Sequence, residues 1–144
     1  PFYGPMFGLK LVMPGLQMEG EPLYDLIESE GVTLAFGVPT IWMGLLNYCR
    51  DNDKTLTSVR NAVIGGSALS LSMLQEFDEA HDVNVIQGWG MTEMSPLGTS
   101  NFLTPEMKKM SKEEKYAVQL KQGRPMYGVE LKVVDDSGAE LPHD

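Results

Sequence analysis

Only one of the 144 residues is a cysteine, Cys49, so no disulfide can form within the chain, and a reducing cytoplasm suits it. Basic residues are also scarce. Eleven Lys and Arg stand against 20 Asp and Glu, a formal charge of -9 without the basic footprint that nucleic acid requires. That balance still admits nucleotides, because backbone N–H groups and Mg²⁺ can hold phosphates without side-chain cations. No apolar run approaches the roughly 20 residues needed to cross a bilayer. The opening residues Pro1-Phe2-Tyr3-Gly4-Pro5 lack the basic region that precedes the apolar one in a secretory leader. Histidine occurs twice, as His81 and His143, and no cluster has zinc-ligand spacing. The start without Met, with a strand candidate a few residues in, reads as a piece of a larger protein. The remaining composition, 42% hydrophobic and 22% charged, is that of a globular domain long enough to bury a core.

The apolar patterning alternates between short runs and helical spacing. Leu9 to Met13 reads as a strand closed by Pro14-Gly15. Glu21-Pro22 opens a helix whose Leu23, Leu26 and Ile27 share a face, and Gly31 caps it. Thr33 to Val38 is a second strand. Thr40 serves as N-cap for a helix burying Trp42, Leu45, Leu46 and Cys49. Asn61 to Ile64 is a third strand, ending in Gly65-Gly66. Ser70, or Ser72 with Gln75 in capping-box spacing, starts a helix with Leu71, Leu74 and Phe77 on its core face. His81 ends that helix, and Val83 to Ile86 is a fourth strand. Strands this apolar fit a sheet covered by helices on both faces. The β-α order implies an α/β fold with a mostly parallel sheet and right-handed crossovers.

Ligands of such sheets sit beyond the carboxyl ends of the strands. Those ends are Gly37-Val38-Pro39-Thr40, Gly65-Gly66-Ser67 and Gln87-Gly88-Trp89, the most glycine- and hydroxyl-rich points of this half. The third continues as Gly90-Met91-Thr92-Glu93-Met94-Ser95-Pro96. Glycines at 88 and 90 let the backbone take positive φ or approach a ligand. Trp89 offers a flat apolar face, Thr92 a hydroxyl and Glu93 a hard oxygen suited to Mg²⁺. An aromatic platform, a phosphate-sized contact and a metal-seeking carboxylate together point to a nucleotide. The alternative is a glycine-containing turn with a half-buried Trp and a solvated Glu.

Beyond this stretch, Leu97 to Leu103 is a strand or an extended loop. Thr104-Pro105 and Ser111-x-x-Glu114 start helical turns, and six of the eleven basic residues fall between Lys108 and Arg124. Glu106, Glu113 and Glu114 dilute that charge, so a solvated amphipathic helix reads better than a membrane-binding one. Gly123-Arg124-Pro125 breaks the pattern. Val129, Leu131 and Val133 alternate as a strand, and Asp135-Asp136-Ser137-Gly138 turns it into a hairpin.

Four of these segments, in this order, resemble the adenylate-forming (AMP-binding) enzymes, and within them the fatty acyl-CoA synthetases of medium and long chain or methylthiopropionate type. They are Gly37-Val38-Pro39-Thr40 with Trp42; Gly65-Gly66-Ser67-Ala68-Leu69; Gly88-Trp89-Gly90-Met91-Thr92-Glu93; and Gly123-Arg124-Pro125-Met126-Tyr127-Gly128-Val129-Glu130 with the hairpin after it. The third is the family's aromatic-Gly-x-Thr-Glu signature, and the match covers essentially the whole chain. The resemblance implies a flavodoxin-like subdomain of the large N-terminal domain. It implies a two-step reaction in which a carboxylate attacks the ATP α-phosphate, releasing pyrophosphate, and CoA thiol then displaces AMP. By position, Gly66, Ser67, Gln87, Gly88 and Trp89 would line the adenine slot, Trp89 replacing the commoner Tyr. Thr92 would contact the α-phosphate and Glu93 the Mg²⁺. Val38, Thr40, Trp42 and Gly90 would border the acyl pocket, with Trp42 resembling the gate of long-chain members. Substrates would be a carboxylic acid, ATP and CoA. Peripheral membrane association and a homodimer are compatible with the resemblance.

The phosphate-binding loop, the ribose-binding Asp and the C-terminal domain with its catalytic Lys find no counterpart in these 144 residues. The isolated chain is therefore expected to complete neither half-reaction. Without the resemblance, Trp42 reads as core, Met91 and Met94 as adaptable filler, and Cys49 as an inert buried thiol. Two rival readings are another adenylate-forming enzyme, such as an aryl-CoA ligase or amino-acid adenylation domain, and a flavodoxin-like module that binds nucleotide without catalysis.

Overall fold

The structure is a computed structural model and describes residues 3–142. It opens with a short helix α1 (Tyr3–Met6), and residues 9–14 then run without regular structure, so the strand expected at Leu9–Met13 does not form. Most of that segment's apolar side chains are exposed and no neighbouring strand pairs with it. Alternation over five residues does not make a strand without a partner to take its hydrogen bonds. Helix α2 (Gly20–Glu30) buries Leu23 and Ile27, and Gly31 closes it in the left-handed conformation that glycine adopts freely.

Strand β1 (Leu34–Gly37) leads to α3 (Pro39–Asp51), β2 (Asn61–Ile64), α4 (Leu71–His81) and β3 (Asn84–Gly90). The cap of α3 is Val38, with Pro39 at the first helical position; Thr40 lies one residue inside and is exposed, so it does not cap. Ser70 caps α4 by accepting the Met73 N–H at 3.2 Å, and Ser72 falls within the helix. Leu71 is exposed, and the core face of α4 is Met73, Leu74 and Phe77 with His81.

The five-stranded sheet has the order β1-β2-β3-β4-β5. Its first three strands are parallel, while β4 (Leu97–Ser100) and β5 (Arg124–Pro125) join antiparallel. Sequential parallel neighbours with right-handed crossovers place α3 and α4 on the same face. There Ala62, Ile64 and Val85 pack with Leu45, Leu46, Leu74 and Phe77. The opposite face is not helix-covered among the described residues: Phe36 is 74% exposed and Leu34 43%. The two-sided covering expected from the apolar strands is therefore one-sided here.

Helix α5 (Lys112–Gln119) starts on a full capping box between Ser111 and Glu114. It docks through the Tyr116 hydroxyl on Asp78 at 2.6 Å, Lys112 on Asp78 and Glu79, and Gln119 Nε2 on the Val85 carbonyl. Burial works to raise Asp78, but hydrogen bonds from Tyr116 and Lys112 outweigh it and hold the carboxyl below its usual range. The expected terminal hairpin forms as β6 (Val133–Val134) and β7 (Glu140–Leu141). Asp135 accepts the Ser137 and Ala139 N–H groups in its turn. Val129 and Leu131 lie outside the strand, whose partner spans only two residues.

Candidate functional site

The parallel pairing of the three strands ends level. Gly37 is beside Ile64, and Ile64 beside Gln87, so the loops leaving β1 and β2 and the end of β3 share one rim. The Gly65 N–H donates to the Gly37 carbonyl at 3.3 Å. A Cβ at Gly65 would stand 2.8 Å from the Gly88 carbonyl oxygen, and one at Gly66, which sits at φ +87°, 3.1 Å from Val38 Cγ1. The convergence expected from the sequence is thus a packed junction, with Val38, Thr40, Gly66 and Ser67 exposed on it.

Strand β3 runs on to Gly90 rather than opening into a loop at Gln87. Neither Gly88 nor Gly90 has positive φ. Their missing side chains serve close approach between strands: a Cβ at Gly90 would collide with the Pro96 carbonyl, and one at Gly88 would touch Leu97 Cδ1 at 3.3 Å. The Met91 N–H donates to the Pro96 carbonyl at 2.8 Å, closing the hairpin to β4. Its connection carries Thr92–Met94 as one 3₁₀ turn and includes a cis Ser95–Pro96 bond. Thr92 and Glu93 are both exposed on that turn. Among the described residues no group of three or more His, Cys, Asp or Glu gathers to hold a metal by itself.

Trp89 is half-buried beside this turn. A Cβ at Gly98 would lie 2.6 and 2.7 Å from indole Cζ3 and Cε3, so the ring rests directly on Gly98. The sequence signal for this contact is Gly98 itself, since an isolated glycine within a strand run marks a bulge or a close approach.

Two residues expected at the site point elsewhere. Gln87 is 2% exposed; its side chain shares the helix-covered face with Val85, and its Oε1 has no hydrogen-bond partner. Only its backbone position belongs to the rim. Trp42 is also 2% exposed, edge-on to Phe77 with ring centroids 5.3 Å apart, and its Nε1 is unpartnered beside Gly37. Its indole forms the floor beneath the rim.

Two surface hollows lie away from the rim. One lies at the amino ends of the strands between Arg60, Asp78, Lys115 and Tyr116, and another between Cys49, Lys54, Glu76 and His81. Burial pushes the Cys49 thiol up to about 11, so it is neither nucleophile nor ligand at neutral pH. The rim is an open surface.

A model of the AMP-binding enzyme family matches residues 2–144. The chain belongs to the AMP-binding enzymes. Over its full length it is 47% identical to the 3-methylmercaptopropionyl-CoA ligase of Ruegeria lacuscaerulensis and 46% to the medium-chain-fatty-acid–CoA ligase of Ectopseudomonas oleovorans, covering 27% and 26% of them. It therefore spans about a quarter of the length of these AMP-binding relatives. Among solved structures, an anthranilate CoA ligase in complex with anthranoyl-AMP superposes over 90% of this chain and 23% of its own, with TM-score 0.69 and 27% identity. A long-chain-fatty-acid-CoA ligase from Archaeoglobus fulgidus does so over 85% and 25%, with TM-score 0.66 and 26% identity. The α/β architecture expected from the sequence is thus shared with these CoA ligases.

Proposed function

We propose that this chain is the central subdomain of an acyl-CoA synthetase. The complete enzyme joins a fatty or other apolar carboxylic acid to ATP, forming an acyl-adenylate and pyrophosphate, and then transfers the acyl group to CoA with release of AMP. The observation that supports this reading is the junction where the loops after β1 and β2 reach β3, with Gly66 close to Val38 and Gly65 close to Gly88, and Thr92 and Glu93 on the turn that follows β3. Identities of 46 to 47% to curated acyl-CoA ligases support the acyl-CoA chemistry.

In this reading Trp89 faces the adenine ring and the Thr92 hydroxyl donates to the α-phosphate, where charge grows as the carboxylate attacks. Glu93 is an exposed carboxylate on the 3₁₀ turn, outside any group of three or more His, Cys, Asp or Glu among the described residues. That fits Mg²⁺, which binds through one or two carboxylates and shares the substrate phosphates rather than occupying a protein cage. Bound there, the ion would neutralise developing charge on the phosphoryl group. Val38, Thr40 and Gly90 border the acyl group, and Trp42 underlies it. The chain alone supplies one wall, so it completes neither half-reaction without the rest of the enzyme.

The test is pyrophosphate release from ATP by the complete enzyme with fatty, methylthio-substituted and aryl acids. Release dependent on apolar aliphatic acids is expected. Release with aryl or amino acids alone would assign a different adenylate-forming enzyme, and no release with any acid would leave a non-catalytic nucleotide-binding module.

A further inference from the structure

Strands β3 and β4 are paired with a slip. Trp89 is opposite Thr99 and Gly90 opposite Leu97, so β4 carries one extra residue, Gly98, between two successive positions of β3. Such a bulge bends the strand and re-aims the side chains around it. Gly98 is buried, and Trp89 lies over it. A Cβ there would be 2.6 and 2.7 Å from two carbons of the six-membered indole ring and 2.8 Å from Met94 Cε. The Met94 methyl ends a flexible chain and can swing aside. The indole is rigid, flanked by Gly88 and Gly90, and can yield only by lifting off β4.

We infer that Gly98 is a positioning residue for nucleotide binding: the bulge and its bare Cα form the seat that fixes the height of the Trp89 ring at the rim. The inference rests on the reading of Trp89 as the adenine wall. Its physical content is a size match. The clashing atoms Cε3 and Cζ3 belong to the fused ring, so the indole requires a residue without a side chain beneath it, whereas a single six-membered ring would leave room for a methyl group.

The experiment uses the complete enzyme and compares Gly98→Ala, Trp89→Ala, Trp89→Tyr and the double variant Gly98→Ala/Trp89→Tyr, reading KM for ATP and for the acid separately. Displacement of a positioning group by an ångström can cost up to about 100-fold, so Gly98→Ala is expected to raise KM for ATP roughly ten-fold. KM for the acid should stay within about two-fold, because the atoms nearest a Cβ added at Gly98 belong to Trp89 and Met94. The double variant should return KM for ATP to that of Trp89→Tyr alone.

An unchanged KM for ATP in Gly98→Ala, an equal rise for both substrates, or no relief from Trp89→Tyr would each overturn the inference. If Gly98→Ala fails to fold, the double variant decides. Recovery supports the seat, and a second failure shows that the clash is not with the indole. An unchanged KM for ATP in Trp89→Ala would overturn the adenine-wall reading and this inference with it. A raised KM in Trp89→Ala beside an unaltered Gly98→Ala would overturn the inference alone.

Discussion

Lowering the pH should loosen this chain before its carboxylates titrate, and His81 is the cause. The imidazole is 7% exposed, edge-on to Phe77, and its Nδ1 accepts the Leu56 N–H at 3.3 Å. Only an unprotonated Nδ1 can accept, so the folded state holds this ring neutral. Burial lowers the His81 pKa, and Glu76 on the same helix opposes it in part. From α3 and the segment after it, Cys49, Arg50, Asp53 and Lys54 complete the surroundings, and none forms an ion pair with the ring. The unfolded chain takes up this proton near pH 6.5 and the native state only at a lower pH. Stability is therefore fully present above about pH 6.5 and falls as the pH drops below it, until the folded-state pKa is reached. One proton limits the slope to about 1.4 kcal/mol per pH unit. For a domain of this size each kcal/mol moves Tm by about 2–4 °C, which thermal melts between pH 7.5 and 5.5 resolve. Replacing His81 by Gln keeps an acceptor for Leu56 and removes the titration, so the slope in this window should flatten. His143, outside the described residues, remains in both proteins as an internal control. An identical slope in His81→Gln would refute the reasoning.

In the complete enzyme, Glu93→Gln should reduce adenylation about 100-fold or more while the melting temperature stays within the range of a surface change, about ±0.5 kcal/mol; unchanged turnover at saturating Mg²⁺ would remove Glu93 as the ligand. Trp42→Ala should cost about 3–5 kcal/mol in urea unfolding, since the indole is buried against Phe77. In whatever enzyme still folds, it should shift chain-length preference more than KM for ATP, and a predominantly ATP-side defect would contradict its place under the acyl pocket. Gly90→Ala should destabilise the chain by about 2 kcal/mol or more because the Pro96 carbonyl occupies the space of the added methyl, and a loss below 0.5 kcal/mol by the same assay would show that the hairpin gives way easily.

Much of the fold was legible because local signals and tertiary demand agree. Gly31, the Ser111–Glu114 capping box and the helical spacing of Trp42, Leu45, Leu46 and Cys49 act over one or two turns, and all stand as read. What failed depended on distant chain. Leu9–Met13 has a strand's alternation and no partner. The apolar residues of β1 indicated two covered faces, yet Phe36 faces outward because the crossovers all pass on the other side. At the site the residue types were readable and their directions were not. Gln87 sits in the motif, but its amide is buried in the core, while Trp89, two residues on with the same strand parity, is half-buried on the bulge at Gly98. A bulge is one extra residue: the glycine at 98 signals it, but the pattern of so short a strand does not say which pairing it shifts.

The hairpin that bears Thr92 and Glu93 also limits how this chain can change. Met91 and Pro96 are joined by a hydrogen bond, and Gly90 and Leu97 stand as strand partners. The segment between them therefore has no slack. One residue added there would open the Met91–Pro96 bond or slip β4 by a position, moving every side chain of that strand to the other face. The exposed turn at Asp135–Gly138 closes a two-stranded ribbon, and exposed turns of this kind tolerate lengthening. Insertions, tags and reporter peptides belong in the second turn. The first turn, which carries Thr92 and Glu93, is held to its length.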